Sequence, residues 1–416
     1  MADARSLLCA GLFAVAAGAS LHAMQQSKDG ALNAALVFYR QNRLEEALTL
    51  FEQAATEDST SPTTIAWFAE TLRRLERVNP AVVQARRALA LAPCHAFAHI
   101  VIGTAYNPQY RMGLDDYDSV WVHLRRAVDC DPNDGNGWLN IWGESLRLGD
   151  RQIEEKSLRR LIDTKFLSRT TLSYNRWLLR DLPENTVVVS NGDLDTYPAL
   201  ALQLTEGRRR DVVVVNLPML HLWWYVQLVH ARYGLPFPAD SAMLASRPMC
   251  GTGGGDTVCL GNLVLGEWRR LAAEGKLPRP LAVPWENMMP RGPGIFVRTG
   301  PLLLLKPTAE SSVDTAGVRR SLRGIEGRDF ADPIVTPTDR SAVRIASASE
   351  KGMQLHLAWI AVIYGEELIR AHRLEDARDI LEWVRRFAQD GALDNEASRS
   401  LVDKYSHELD AAEREP

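Results

Sequence analysis

Thr186-Val-Val-Val-Ser-Asn-Gly-Asp-Leu-Asp-Thr196 is followed, after an apolar run, by Asp211-Val-Val-Val-Val-Asn216. The two Val runs are short and bounded by polar turns. Continuous β-branched runs suit strands buried on both faces. Between them, Tyr197–Thr205 has the length and composition of a helix. Strand, helix, strand at this spacing predicts a crossover with two parallel strands. The turn Asn191–Thr196 then lies at the carboxyl end of the first strand, the end where open α/β sheets bind ligands. The expectation is a small Rossmann-like α/β domain with a parallel sheet over residues 183–308.

The turn supplies the candidate ligand residues: Asn191, Asp193, Asp195 and Thr196. Asp193 and Asp195 alternate at a strand end, so both could reach a divalent metal or sugar hydroxyls in the crevice. The same residues also suit a structural turn. Asp195 or Thr196 can cap the following helix, whose first turn tolerates Pro198, and Asn191-Gly192 fits the tight bend before it. Asp195 is the residue expected to serve stability and Asp193 the one expected to serve a ligand.

Around this turn the chain resembles the soluble C-terminal part of bacterial multi-pass membrane proteins related to protein O-mannosyltransferases. Leu182-Pro183, Asn191-Gly192-Asp193, Asp195-Thr196, Pro198, Glu206-Gly207, Asp211, Val215-Asn216-Leu217 and Trp224-Tyr225 carry the resemblance. Val283–Asn287, Gly300–Pro307, Val313-Asp314-Thr315 and Asp332-Pro333 follow in the family's order, ahead of a helical hairpin at about Leu355–Trp383. The resemblance covers roughly the second half of the chain. Glycosyl transfer in such a family belongs to its membrane-embedded part, which nothing in this sequence matches. What the resemblance implies here is an association with envelope glycosylation or assembly, and an ordered connector over 309–349.

Upstream, a different period takes over. From about Gly30 helix pairs recur near every 34 residues, with small residues where helices cross. Ala35, Ala47, Phe51 and Ala54 mark the first unit, and Ala69, Ala81, Ala85 and Ala88 the second. The third carries Gly103, Leu124 and Ala127, with a longer loop around Asn107–Asp118, and a weaker fourth begins at Trp138. This is the tetratricopeptide pattern. It predicts an α-solenoid over 30–165, a linking helix over 166–182, and a further repeat-like hairpin with an end cap over 350–412. Resemblance to tetratricopeptide proteins implies a groove that binds a peptide or protein partner.

Composition excludes little but sets bounds. The chain has 416 residues, 46% hydrophobic and 24% charged, with a net charge of -4. That balance gives no electrostatic reason to expect nucleic-acid binding. Arg208–Arg210 reads as the solvated end of a helix. Leu7–Ala19 is an apolar run preceded by Arg5, too short to span a bilayer and suited to a secretory signal over 1–23. The mature chain is therefore expected to be exported, to the periplasm, with no transmembrane span. Removing Cys9 leaves four cysteines. Cys250 and Cys259 bracket a Gly-rich loop and could close it; Cys94 and Cys130 fall near the ends of successive second helices and could pair.

No cofactor motif stands in its required context: no Walker loop, no His-Glu-x-x-His, no Gly-x-Gly-x-x-Gly opening a helix. The expected function is a non-catalytic scaffold. The alternative is an enzyme or binding protein for a sugar or nucleotide ligand that uses Asp193 and Asp195.

Overall fold

The computed structural model describes residues 30–107, 114, 116–238, 259–330, 347–389 and 396–414. The expected leader 1–23 and Cys250 lie outside these residues, as does 331–346 of the connector. The described residues fall into two compact units, divided between Glu144 and Ser145.

The first unit is built of helix pairs. Helix α1 spans 30–40, α2 Leu44–Glu57, α3 Pro62–Arg74, α4 Val78–Leu91, α5 Ala96–Tyr106 and α6 Tyr117–Cys130; α7, Gly135–Leu148, carries the chain across the boundary. Ala35, Ala69 and Gly103, one per pair at equal spacing, are buried on α1, α3 and α5. At Gly103 the helices approach so closely that a Cβ would lie 2.8 Å from the Leu124 Cδ2 atom. The facing positions on the second helices are equally small or well packed: Ala47, Phe51 and Ala54 on α2, then Ala81, Ala85 and Ala88 on α4. A file of aromatic rings binds successive pairs. Trp67 meets Tyr39 at 5.2 Å and Phe97 at 4.6 Å between ring centroids. Each small cluster thus packs on its sequence neighbours, as a repeat array requires.

The second unit continues with α8 (Arg151–Asp163) and α9 (Arg169–Arg180), then a sheet and its crossovers. The elements are β1 Val187–Ser190, α10 Asp193–Glu206, β2 Val213–Asn216, α11 Trp223–Tyr233, α12 Leu260–Ala273, β3 Leu281–Val283, β4 Ile295–Arg298 and β5 Leu303–Lys306. Four helices follow: α13 Thr315–Leu322, α14 Ser347–Arg370, α15 Leu374–Phe387 and α16 Glu396–Ala412. The sheet order is β2-β1-β3-β5-β4. β1 pairs in parallel with β2, Val188 opposite Val214, and with β3 on its other side. The crossover expected from the two Val runs is present, and every residue of both strands is buried.

The sheet as a whole is mixed. β5 runs antiparallel to both β3 and β4. The cause is the short connection Thr299–Leu302, closed by a 3.1 Å bond from Thr299 N to Leu302 O. So few residues can return a strand only antiparallel, because a parallel return needs a crossover of a dozen or more. β4 therefore points the same way as β1 and β3. Four carboxyl ends, at Ser190, Asn216, Val283 and Arg298, share one edge of the sheet.

One face of the sheet, with Val188, Val214, Ala282 and Leu304, packs into a core shared with Tyr174, Trp177 and Leu178 of α9 and with α13–α16. Within that core a Cβ at Gly365 would overlap the Tyr405 hydroxyl, which itself bonds Ala377 O at 2.7 Å. Arg209 departs from the reading of a solvated basic run. It turns inward, donates to the carbonyls of Leu179, Leu182 and Pro183, and pairs with Asp211 at 2.8 Å.

Candidate functional site

The turn after β1 is held by its own side chains. Helix α10 begins at Asp193, four residues earlier than its apolar composition indicates, and takes in both aspartates. The Asp195 carboxylate reaches back and accepts from Asn191 N at 2.7 Å and Gly192 N at 3.0 Å, one bond to each oxygen. These are backbone donors with no carbonyl partner at the helix start. Burial raises the Asp195 carboxyl pKa to about 6, against the lowering influence of those bonds. Thr196 is fully buried. Its hydroxyl donates to Gly192 O, meets Ser190 Oγ, and accepts from Asn216 Nδ2 at 3.0 Å. Asn216 in turn accepts from Met219 N, while its backbone N donates to the Tyr225 hydroxyl at 3.1 Å. One polar network thus ties β1, α10, β2 and α11 together.

The four candidate residues therefore divide. Asp195 and Thr196 are consumed in holding the turn. Asn191 and Asp193 are exposed on it, and Asp193 takes a hydrogen bond from Tyr197. Among the described residues no group of three metal-ligating side chains comes together, so Asp193 and Asp195 gain no third partner there.

A second group, not singled out by any motif, lies at the same carboxyl edge. Trp285 follows β3, Arg298 ends β4, and His356 and Trp359 descend from α14. Tyr174 of α9 joins them: its hydroxyl lies 2.7 Å from His356 Nδ1. The Trp285 ring sits 4.3 Å from that of His356, and Trp359 lies 5.5 Å from Trp285. Arg298 is only 5% exposed, places its guanidinium 5.2 Å over the Trp359 ring, and donates through Nη1 to Pro301 O at 3.1 Å. Burial lowers the Arg298 pKa to about 10. Burial, helped by the nearby Arg298 charge, lowers His356 to about 3, so its ring is neutral. These residues lie far apart in sequence, and only the sheet order brings them together. The one available signal was Trp285, two residues beyond a strand end, where ligand-binding residues concentrate.

A cleft of about 280 Å³ in the second unit lies elsewhere, between Arg176, Leu179, Arg180, Leu202, Arg208 and Arg209. Each of its four guanidiniums already pairs with a carboxylate, of Glu206, Asp181 or Asp211.

Of the cysteines, Cys94 and Cys130 form a disulfide with a Cα–Cα distance of 5.2 Å. Cys259 is also disulfide-bonded. No described helix is long and apolar enough to cross a membrane.

Residues 172–243 match the family model described as TMEM260-associated domain 2. That span contains β1, the turn, α10 and β2, the part of the sequence that carries most of the family resemblance. No curated protein matches the chain. Among solved structures, a thermophilic TPR protein from Thermus thermophilus is 21% identical, covering 49% of this chain and 91% of its own, with a TM-score of 0.31. The chain thus joins N-terminal helical repeats of the tetratricopeptide kind to a TMEM260-like region that holds the candidate turn.

Proposed function

We propose that this chain is an exported, non-catalytic scaffold whose repeats hold a peptide or protein partner, with the α/β half serving as a docking or ligand-sensing module. The observation that carries this reading is the equally spaced series Ala35, Ala69 and Gly103, buried at successive helix crossings. Arrays of that kind present extended surfaces to partners. α5 is buried along Ala98–Ala105, so the partner surface falls to the other helices of the array. The family resemblance points to an envelope glycosylation or assembly machine as the partner. The Cys94–Cys130 bridge supports the export reading, because structural disulfides persist in oxidising compartments.

Capture from an envelope fraction tests the scaffold. The full chain should retain a partner that a chain beginning at Ser145 does not, with the truncated chain shown to melt cooperatively. Capture by the folded truncated chain would move binding out of the repeats. N-terminal sequencing of native material tests export and should begin after Ala19 or Ala23. An intact Met1 on cytoplasmic protein would refute it.

A further inference from the structure

The group at the carboxyl edge carries more donors than acceptors. His356 is 4% exposed and its Nε2 has no hydrogen-bond partner among the described residues. Its Nδ1 faces the Tyr174 hydroxyl, which has no other acceptor among the described residues. That hydroxyl, kept protonated by burial, therefore donates to Nδ1 and leaves the ring proton on Nε2. The Nε1–H of Trp177 is likewise buried without an acceptor, and its ring lies 6.1 Å from His356. Arg298 bonds only through Nη1, to the carbonyls of Pro284 and Pro301. Its Nε and Nη2 make no bond to a described residue, and no described carboxylate lies within ion-pair distance. The Asp195 carboxylate spends both oxygens on the turn.

A buried positive charge without a counterion is costly, and so is each buried donor left unpaired. Surplus donors around a guanidinium edge are what a carboxylate or phosphate satisfies, since it has only acceptors and matches the edge in a forked geometry. Trp285 and Trp359 are both partly exposed. They form a rim on which the ring of a larger ligand could lie.

We propose that Arg298, His356 and Trp177 form a binding site for a small oxyanion at the carboxyl edge of the sheet, rimmed by Trp285 and Trp359. The site is separate from the repeats and does not depend on what they bind. Asn191 and Asp193 lie along the same edge but are exposed on the turn, and the Asp193 carboxylate can only accept.

The test is a tryptophan-fluorescence titration of the full chain with acetate, inorganic phosphate, glucuronate and glucose, at constant ionic strength set by potassium chloride. A saturable response to at least one oxyanion is expected, with none to glucose. Phosphate against acetate separates the two oxyanion types, and glucuronate against acetate reports whether the rim contributes. Arg298→Gln should weaken binding at least about tenfold, as loss of a charge-assisted bond does; Arg298→Lys should weaken it less. If Arg298→Gln does not fold, Trp177→Phe keeps an aromatic ring and removes one donor, and should weaken binding several-fold. The proposal is overturned if no oxyanion gives a saturable response in the wild type, if glucose matches glucuronate, or if the folded variants bind unchanged. The cluster would then be a core whose donors meet only water.

Discussion

Asp195 holds its turn with two backbone hydrogen bonds, and residues in that position stabilise helix starts by a measurable amount. Asp195→Ala should cost about 0.5–2 kcal/mol, as lost caps do, read as a drop in denaturant midpoint. Asp193→Asn should leave that midpoint nearly unchanged, because Asp193 is exposed and its carboxylate's one hydrogen bond among the described residues comes from Tyr197. Equal losses would mean that both residues hold the turn. A capping role for Asp195 was legible as one alternative, a polar residue just before an apolar helical run, although the helix starts at Asp193 and makes Asp195 its third residue. Arg298 and His356 were not, since 58 residues separate them and only tertiary packing pairs them. A second residue-scale case is the His99–His123 contact, Nδ1 to Nδ1 at 2.9 Å. One nitrogen must donate and the other accept, so the accepting ring is neutral. Burial lowers both pKa values, His123 to about 4, with Arg126 opposing charge on His99 and Arg86 opposing it on His123. Folded values below the unfolded ~6.5 mean full stability above that pH and loss as pH falls toward 4. After discounting for partial exposure, the loss is on the order of 1 kcal/mol for His123. His123→Gln should flatten that part of the stability–pH curve.

Four helix hairpins close with the same turn. Arg43 N bonds Phe38 O, Arg77 N bonds Leu72 O, Asp150 N bonds Ser145 O, and Arg373 N bonds Leu368 O, all at 2.8–2.9 Å. Each turn sets one residue in the left-handed region: Asn42, Glu76, Gly149 and His372. The six-to-one bond satisfies a helix-end carbonyl, and glycine or asparagine is the usual occupant. Glu76, at φ 60°, and His372, at φ 54°, are the exceptions, and Glu76, on an exposed turn, is the costlier because histidine visits this region more readily. Glu76→Gly should raise stability by up to about 1 kcal/mol, the left-handed penalty less the added chain entropy. A loss of stability would show that the Glu76 side chain does more than occupy the turn. At this scale the helix pairs were legible through small residues at a fixed interval. So was the crossover, through its two Val runs. The antiparallel edge was not, because nothing in the composition of β4 and β5 fixes direction. The short Gly300-Pro301 link does, and it registers in sequence only as a break.

For the whole molecule, the division into two units makes the Cys94–Cys130 bridge a local device. It spans 36 residues and joins the end of the α3/α4 pair to the end of α6. In an array whose clusters are small and local, a covalent tie between successive pairs limits independent opening of one pair. Closing a loop of that length restricts the unfolded chain by about 4 kcal/mol in the chain-entropy model. The core on one face of the sheet draws on α9 and α13–α16, and none of its described members comes from α1–α6. Replacing both cysteines by alanine should therefore act on the first unit alone. Hydrogen exchange should lose protection through α3–α6, by roughly two to three powers of ten where opening is now global. Amides of β1, β2 and β3 should keep theirs. The double variant isolates this bridge in a way that a reductant cannot, because Cys259 is disulfide-bonded too. Equal loss of protection in the repeats and in the sheet would mean that the two units unfold as one, and that the bridge supports the molecule rather than its first half.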